Sequence, residues 1–234
     1  MDGLLQFAKG PLFAATFTFM IVGLLRHIYL ESTQLYRSVM RLADRRISIG
    51  GNLRQLAVWL LPVKRLYRLR PFLSLTSFIF HVGLLAVPVF LISHIDLWRG
   101  VLGFAWPGIP MAAADVLTLI TIVAGIVLFC VRVFDTGARA LSSPMDYALI
   151  AVLIVPFVSG FMACHPAVNP LPYNAMMLTH VLSANLIFVL VPTTKLAHCV
   201  LFVFDRFSSD VFWRMPVGAG ERVAHELHGE EARV

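Results

Sequence analysis

Four histidines lie inside or at the edge of long apolar segments, and they are the residues of this chain best suited to chemistry. They are His81, His94, His180 and His198. An imidazole inside a bilayer is costly unless it has a partner, so such a residue indicates a functional site. One histidine of this kind usually makes a hydrogen bond between helices. Two on each of two apolar segments favour ligation of a metal-containing cofactor, because neutral imidazole is a common metal ligand.

The spacing of these histidines predicts two levels in the membrane. His180 and His198 are eighteen residues apart, which is five whole helical turns, so one continuous helix would carry both on the same face about 27 Å apart. His81 and His94 are thirteen residues apart, or about 20 Å, and an ideal helix turns them about 140° from each other. Pro88 lies between them and can kink the helix so that one ring is redirected.

Two antiparallel helices would place His81 level with His198 and His94 level with His180. Each pair can hold the iron of one b-type haem between two imidazoles. We expect His81 and His198 to ligate an inner haem and His94 and His180 an outer haem. Two imidazoles leave no open position on the iron, so these haems would transfer electrons and not bind a substrate.

The elements that must position these residues are five apolar segments, each about as long as the 20 residues that cross a bilayer. They are Gly10–Tyr29, Leu73–Leu97, Ala112–Val133, Tyr147–Ala163 and Met176–Phe204. Of the 234 residues, 59% are hydrophobic and 14% are charged, which is too little charge for a soluble surface. We predict an all-α integral membrane protein, a five-helix transmembrane bundle that forms a single membrane domain over residues 1–234.

The basic residues predict how this bundle is oriented. Seventeen of the nineteen Lys and Arg residues lie in Arg26–Phe72, Arg132–Asp146 and the part from Lys195 onward, whereas Lys9 and Arg99 lie on the other side. Since basic loops stay in the cytoplasm, we predict a multi-pass protein of the inner (cytoplasmic) membrane. Its N-terminus would be outside and its C-terminus cytoplasmic. The net charge of +6 thus reflects topology, and we expect membrane lipid and no nucleic acid as a partner.

The long basic loop is predicted to span residues 31–72, and residues 205–234 would form a cytoplasmic tail. Leu53–Leu61 has an amphipathic pattern, and the basic stretch Lys64–Arg70 follows it. This pattern is typical of an interfacial helix on anionic lipid headgroups. A docking surface for a cytoplasmic subunit is the alternative, and the two are compatible.

Two stretches of the sequence resemble a known family. Thr179–Leu182 continues into Val191–His198, where a proline, hydroxyl residues, a lysine and an aliphatic residue precede the second histidine, and Phe80–Leu85 surrounds His81. These stretches resemble the ligand-bearing helices of the gamma, haem b subunit of respiratory nitrate reductase. The wider spacing of His81 and His94 and the longer first cytoplasmic loop are more similar to the related cytochrome b subunits of Dsr-type sulfur-metabolism complexes.

This resemblance implies two b haems, contact with menaquinone or ubiquinone, and a cytoplasmic redox subunit of the iron–sulfur or molybdoenzyme type. The chain would then be the quinol-oxidising electron-transfer subunit of an oxidoreductase complex, and not the complete enzyme. For the quinone we single out the polar outer segment Gly160–Pro170. There His165 could accept a quinol proton, and Asn169 or Arg99 could hydrogen-bond a quinone carbonyl. Alternatively, His165 and Pro166 simply end the fourth helix.

Two other functions fit the same pattern. A small transporter or assembly protein without redox chemistry would use the histidines for hydrogen bonds or for proton transfer. A cytochrome with a single haem would leave His81 or His94 unligated. Cys130, Cys164 and Cys199 are widely separated and form no CxxC motif, so we expect them to be packing residues and not ligands of zinc or of an iron–sulfur cluster.

Overall fold

The described part of the chain is almost entirely helical. The computed structural model describes residues 1–40, 50, 54, 70–212 and 226. Its helices are α1 (Asp2–Phe7), α2 (Phe13–Met40), α3 (Pro71–Phe90), α4 (Ile92–Leu102), α5 (Met111–Phe134), α6 (Thr136–Ala140), α7 (Pro144–Cys164), α8 (Tyr173–Thr193) and α9 (His198–Phe212). A π-helical turn, Ala8–Leu12, joins α1 to α2. Among these residues the β structure is limited to an isolated bridge between Leu91 and Ile109, so the all-α prediction is confirmed.

Among the described residues, five helical segments are long and apolar enough to cross a membrane. They are Asp2–Met40, Pro71–Phe90, Met111–Phe134, Pro144–Cys164 and Tyr173–Thr193. Each overlaps one predicted segment, so the number and order of the candidate spans are confirmed. Such segments are typical of a multi-pass membrane protein. Apart from Arg54, the predicted interfacial helix Leu53–Leu61 lies outside the described residues. Apart from Glu226, so does the tail beyond Phe212.

The first span is longer than predicted. Its helix α2 continues to Met40, beyond the expected end at Tyr29. The first ten residues of the segment predicted as a loop, 31–40, are therefore helical.

The second predicted span, Leu73–Leu97, is two helices and not one. Helix α3 continues through Pro88 and ends at Phe90, and Leu91 has extended backbone angles (φ −68°, ψ 126°) before α4 begins. The sequence placed the bend at Pro88, whereas the chain breaks three residues later. His81 and His94 therefore lie on two different helices, and the angle between their side chains in one ideal helix does not give their actual relative orientation.

The loop that follows α4 stabilises this break. The backbone N–H of Ile109 donates to the carbonyl of Phe90 at 2.9 Å, and the Trp106 indole N–H donates to the carbonyl of Val89 at 2.9 Å. These donors replace the amides of the next helical turn. The last carbonyls of α3 are therefore satisfied without a continuous helix.

The fifth predicted span, Met176–Phe204, is also interrupted. Helix α8 ends at Thr193, Thr194 is extended (φ −133°, ψ −172°), and a 3₁₀ turn leads into α9 at His198. Pro192 in the last turn of α8 cannot donate a backbone hydrogen bond and favours an end to the helix. The prediction that one uninterrupted helix sets His180 and His198 on the same face is therefore wrong.

The chain divides into two compact units. Unit 1 contains residues 1–14 and 63–187, and unit 2 contains residues 15–62 and 188–234. In unit 1, α3 packs closely on α5 because Gly83 faces Thr121. A methyl group at position 83 would overlap the Thr121 hydroxyl. Small residues allow such close approach of membrane helices. The side chain of Asn185 ties α8 to the N-terminal segment, since it donates to the Ala8 carbonyl at 3.1 Å.

Unit 2 is held together by contacts between α2 and the end of α8. The His27 ring donates through Nε2 to the Pro192 carbonyl at 2.8 Å. Phe17 meets Phe188 edge to face, with ring centroids 5.6 Å apart. His27, which the sequence placed at the membrane interface, thus has a structural role beside the interruption at Thr194.

The connection from α5 to α7 is ordered by polar contacts. The Asp135 carboxylate accepts the Ala138 amide at 2.7 Å and lies 3.1 Å from the Arg70 guanidinium. Two donors hold the pKa of Asp135 below its usual value: the Ala138 amide has the larger effect and the Arg70 guanidinium the smaller one. The Tyr147 hydroxyl donates to the Arg132 carbonyl at 3.0 Å. These contacts connect the start of α3 with both helices at one end of unit 1.

Candidate functional site

All four histidines predicted to bind haem hydrogen-bond a backbone carbonyl through Nδ1. His81 donates to the Ser77 carbonyl at 2.7 Å and His94 to the Pro88 carbonyl at 3.1 Å. His180 donates to the Pro156 carbonyl and His198 to the Lys195 carbonyl, both at 2.8 Å. A carbonyl can only accept, so the hydrogen is assigned to Nδ1 and the lone pair of the neutral ring to Nε2. Metal-bound histidines typically donate their other N–H in this way. The four rings thus have the tautomer suited to ligation through Nε2.

His27 has the opposite arrangement. Its hydrogen bond to Pro192 uses Nε2, so Nδ1 has the lone pair in the neutral ring. This difference separates His27 from the four predicted ligands, as expected for a residue that fixes helix packing.

The structure brings His94 and His180 together in unit 1. Their ring centroids are 6.0 Å apart, and the ring planes are inclined by 15°. Two imidazoles that bind one metal from opposite sides, with metal–nitrogen bonds of about 2.0 Å, have ring centres roughly 6 Å apart. Both rings are half-buried. The separation and tautomers of this pair therefore fit the bis-histidine site predicted for the outer haem.

Two local features position these rings. His94 lies in the first turn of α4, and its Nδ1 donates to the Pro88 carbonyl. In an unbroken helix that carbonyl would accept the amide of Ile92 instead. The His180 ring packs against Gly160 of α7, where an added Cβ would lie 2.8 Å from the ring Cε1. Gly160 gives no signal in the sequence, because its contact with the ring joins two different helices.

The two residues of the predicted inner pair lie in different units. His81 belongs to unit 1 and His198 to unit 2, and their pairing stays a prediction. Both rings are exposed on the surface of the chain. The His81 ring stands edge-on to the neighbouring Phe80, with centroids 5.9 Å apart.

Of the three residues predicted to contact a quinone, His165 has the most informative surroundings. Its Nδ1 donates to the Phe161 carbonyl at 2.8 Å, and its Nε2 lies 3.3 Å from Oδ2 of Asp115 in α5. The ring stacks on Phe161 with a centroid separation of 4.2 Å. His165 also follows the last residue of α7, so the helix does end there. Asp115 gives no signal in the sequence, because only the packing of α5 on α7 brings it to His165.

Asn169 and Arg99 have other roles in the described contacts. The Asn169 side-chain oxygen accepts the Leu171 amide at 3.1 Å, which stabilises a turn. Arg99 is exposed in the last turn of α4, and its carbonyl accepts the amide of Gly103 at 3.0 Å. Their predicted contact with a quinone stays a prediction.

The remaining metal-binding side chains form no larger cluster. Within the described ranges, no group of three or more His, Cys, Asp or Glu side chains is placed to hold a metal ion. A bis-histidine haem requires two protein ligands, so pairs of histidines are the relevant sites. Cys130, Cys164 and Cys199 are free and exposed, although we expected them to be packing residues.

The sequence has a relative among known proteins. A protein of Nitratidesulfovibrio vulgaris (strain Hildenborough) is 31% identical over 204 residues, which cover 86% of this chain and 89% of the relative. This chain belongs to the same family as that protein. The relative is described only as "Protein", which states no activity. No family model matches the chain, and no solved structure matches it significantly.

Proposed function

We propose that the chain is a di-haem cytochrome b subunit that passes electrons between a membrane quinol and a cytoplasmic redox subunit. The observation that carries this proposal is the pair formed by His94 and His180. Their nearly parallel rings are 6.0 Å apart, and each ring donates its Nδ1 hydrogen to a backbone carbonyl. This arrangement supports ligation of one iron by both Nε2 atoms.

The second proposed haem has His81 and His198 as its ligands, an assignment that rests on the sequence. A bound haem supplies one-electron redox chemistry. The two histidines of each pair would hold the iron and would thereby exclude other ligands. The backbone carbonyls that accept from Nδ1 orient the rings and make them stronger ligands.

The proposed orientation follows from the basic residues. The inner haem of His81 and His198 would lie in the cytoplasmic half of the inner membrane. Residues 26–72 and the segment after His198 would dock the iron–sulfur or molybdoenzyme-type subunit. The quinol would bind at the outer end, where His165 lies and where Asn169 and Arg99 remain candidates.

A reduced-minus-oxidised absorption spectrum of the purified chain, with haem quantification, tests this proposal. We expect two b haems per chain. A single haem would instead support the mono-haem alternative, and a chain without haem would support the non-redox alternative.

Alanine substitutions test the pairing of the ligands. His94→Ala and His180→Ala should each remove the same haem, and His81→Ala and His198→Ala should each remove the other. His225→Ala, in the polar tail, is the matched control and should keep both haems. The proposed pairing is wrong if His81→Ala and His180→Ala abolish the same haem.

A further inference from the structure

An imidazole and a carboxylate meet at one end of α5 and α7 in unit 1. Nε2 of His165 lies 3.3 Å from Oδ2 of Asp115, while Nδ1 of the same ring donates to the Phe161 carbonyl at 2.8 Å. Both ring nitrogens therefore face acceptors. When the ring is neutral and its hydrogen is on Nδ1, the Nε2 lone pair and the carboxylate oxygen face each other with no hydrogen between them.

One proton would satisfy this pair, and it can lie on either partner. Bound to Nε2, the proton makes an imidazolium beside a carboxylate, and bound to Oδ2 it makes a carboxylic acid that donates to the ring. Without that proton, two acceptors face one another and can be bridged by a donor. A hydroxyl group with a transferable proton is the ligand that satisfies both.

The surroundings of the pair fix its geometry and leave part of each side chain at the surface of the chain. The ring of His165 is held flat against Phe161, with centroids 4.2 Å apart and planes inclined by 22°. The side chains of His165 and Asp115 are 34% and 27% exposed. Asp115 lies in the second turn of α5 and His165 directly follows α7, so the proposal places the exit of the proton at these helix ends.

The pair is also close to the proposed outer haem ligands. Phe161, which stacks on His165, directly follows Gly160, which contacts the ring of His180. His165 follows Gly160 by five positions, a rise of about 7.5 Å along the helix axis. A hydroquinone bound at the pair would therefore lie near the proposed electron acceptor.

We propose that Asp115 and His165 form a single proton-accepting site that recognises the hydroxyl group of a hydroquinone, an inference that rests on the proposed electron-transfer function. Asp115 is the additional residue of this site. In each of two rounds an O–H bond of the hydroquinone would break, and the proton would pass to the pair and then to outer water. A bound haem would supply the one-electron acceptor for each round, and the redox partner would reoxidise it between rounds. The product is the quinone, with two protons and two electrons removed in total.

A matched pair of ligands tests the site independently of turnover. Under anaerobic conditions, menadiol has both hydroxyl groups, whereas its dimethyl ether has the same ring system without a donor. We expect the detergent-solubilised full chain to bind menadiol about tenfold more tightly, the size expected for one hydrogen bond to a charged acceptor. Equilibrium dialysis measures both affinities.

Three variants assign this preference to the pair. Asp115→Asn and His165→Phe should each reduce it to below threefold while both haems and the circular dichroism spectrum are retained. Asp96→Asn removes an exposed carboxylate from α4 and should keep the full preference. Equal binding of the two ligands by the unchanged chain, or an unchanged preference in Asp115→Asn, would overturn the proposal.

The result also separates this inference from the proposed function. A chain that prefers menadiol but contains no haem would refute the cytochrome while leaving hydroquinone recognition in place. A chain with two haems and no preference would retain the cytochrome and leave Asp115 and His165 as a structural ion pair at the end of α7.

Discussion

The imidazole ring of His180 lies directly against the backbone of Gly160, with no room for a methyl group between α7 and α8. An added Cβ would lie 2.8 Å from Cε1 and 2.9 Å from Nδ1 of the ring. That same Nδ1 donates to the Pro156 carbonyl, one turn earlier in α7, at 2.8 Å. Helix α7 therefore holds the ring both by shape and by a hydrogen bond.

Gly160→Ala should displace the His180 ring and weaken binding of the outer haem. The added methyl group would be closer to the ring than van der Waals contact allows, so the ring or α8 must move. We expect the purified variant to contain about one haem per chain, because the ligands of the inner haem are elsewhere. Haem quantification and the reduced-minus-oxidised spectrum measure this loss.

Two other glycines serve as controls for that substitution. Gly100 has open space around its Cα, so Gly100→Ala should keep both haems. Gly83 faces Thr121 between α3 and α5, so Gly83→Ala reports general packing damage. Equal haem loss in Gly83→Ala and Gly160→Ala would argue against a specific role of Gly160.

Trp106→Phe should disturb the second ligand of the same haem. The substitution keeps an aromatic ring but removes the indole N–H that donates to the Val89 carbonyl at 2.9 Å. The Val89 carbonyl at the break then loses its hydrogen-bond donor, and the start of α4, which carries His94, is held less firmly. We expect a shifted midpoint potential for the outer haem, measured by redox titration, and none for the inner haem. Trp59→Phe, in the basic loop, should leave both potentials unchanged.

The predicted topology can be tested with single cysteines. After Cys130, Cys164 and Cys199 are replaced by Ser, a cysteine at Leu141 or Val168 should react with an impermeant maleimide. Both positions are exposed, at 88% and 55%. The basic residues predict labelling of position 141 from the cytoplasmic side and of position 168 from the outside. The reverse pattern would invert the membrane orientation.

The proposed docking face follows from the same orientation. Lys64, in the basic loop predicted to be cytoplasmic, should crosslink to a cytoplasmic redox subunit in intact cells. Crosslinks exclusively to periplasmic proteins would contradict both the orientation and the docking face.

The membrane potential should oppose quinol oxidation at the outer side. Electrons would move from the outer to the inner haem, and moving one charge fully across the membrane is worth about 2.3 kcal/mol per 100 mV. We expect oxidation by the intact complex to slow as the potential rises and to acidify the outer compartment. His165→Ala should slow oxidation and keep both haems, as the spectrum would show. Loss of a haem in this variant would instead identify His165 as a ligand.

The identity of the candidate ligands was accessible from the sequence because lipid restricts which side chains are tolerated. A histidine in an apolar segment is conspicuous wherever it points, so His94 and His180 could be selected without a fold. The five spans were predictable for the same reason, since each must supply about 20 apolar residues by itself.

The breaks at Leu91 and Thr194 were less accessible. At Leu91, donors from the following loop replace the regular helical hydrogen bonds. At Thr194, extended backbone and a 3₁₀ turn interrupt them. A proline indicates that a helix is weakened but does not say at which residue the chain leaves it. In α3 the position is decided by donors from Trp106 and Ile109, which sequence periodicity does not reveal.

The sequence by itself thus determined the helical class, the number of candidate spans and the set of histidines, because these depend on composition and on distance along the chain. Only the tertiary structure decided that His94 faces His180, that Gly160 makes room for the His180 ring, and that Asp115 meets His165. Each of these contacts joins different helices. Their physical cause is how closely two helix faces pack, and that depends on both partners at once.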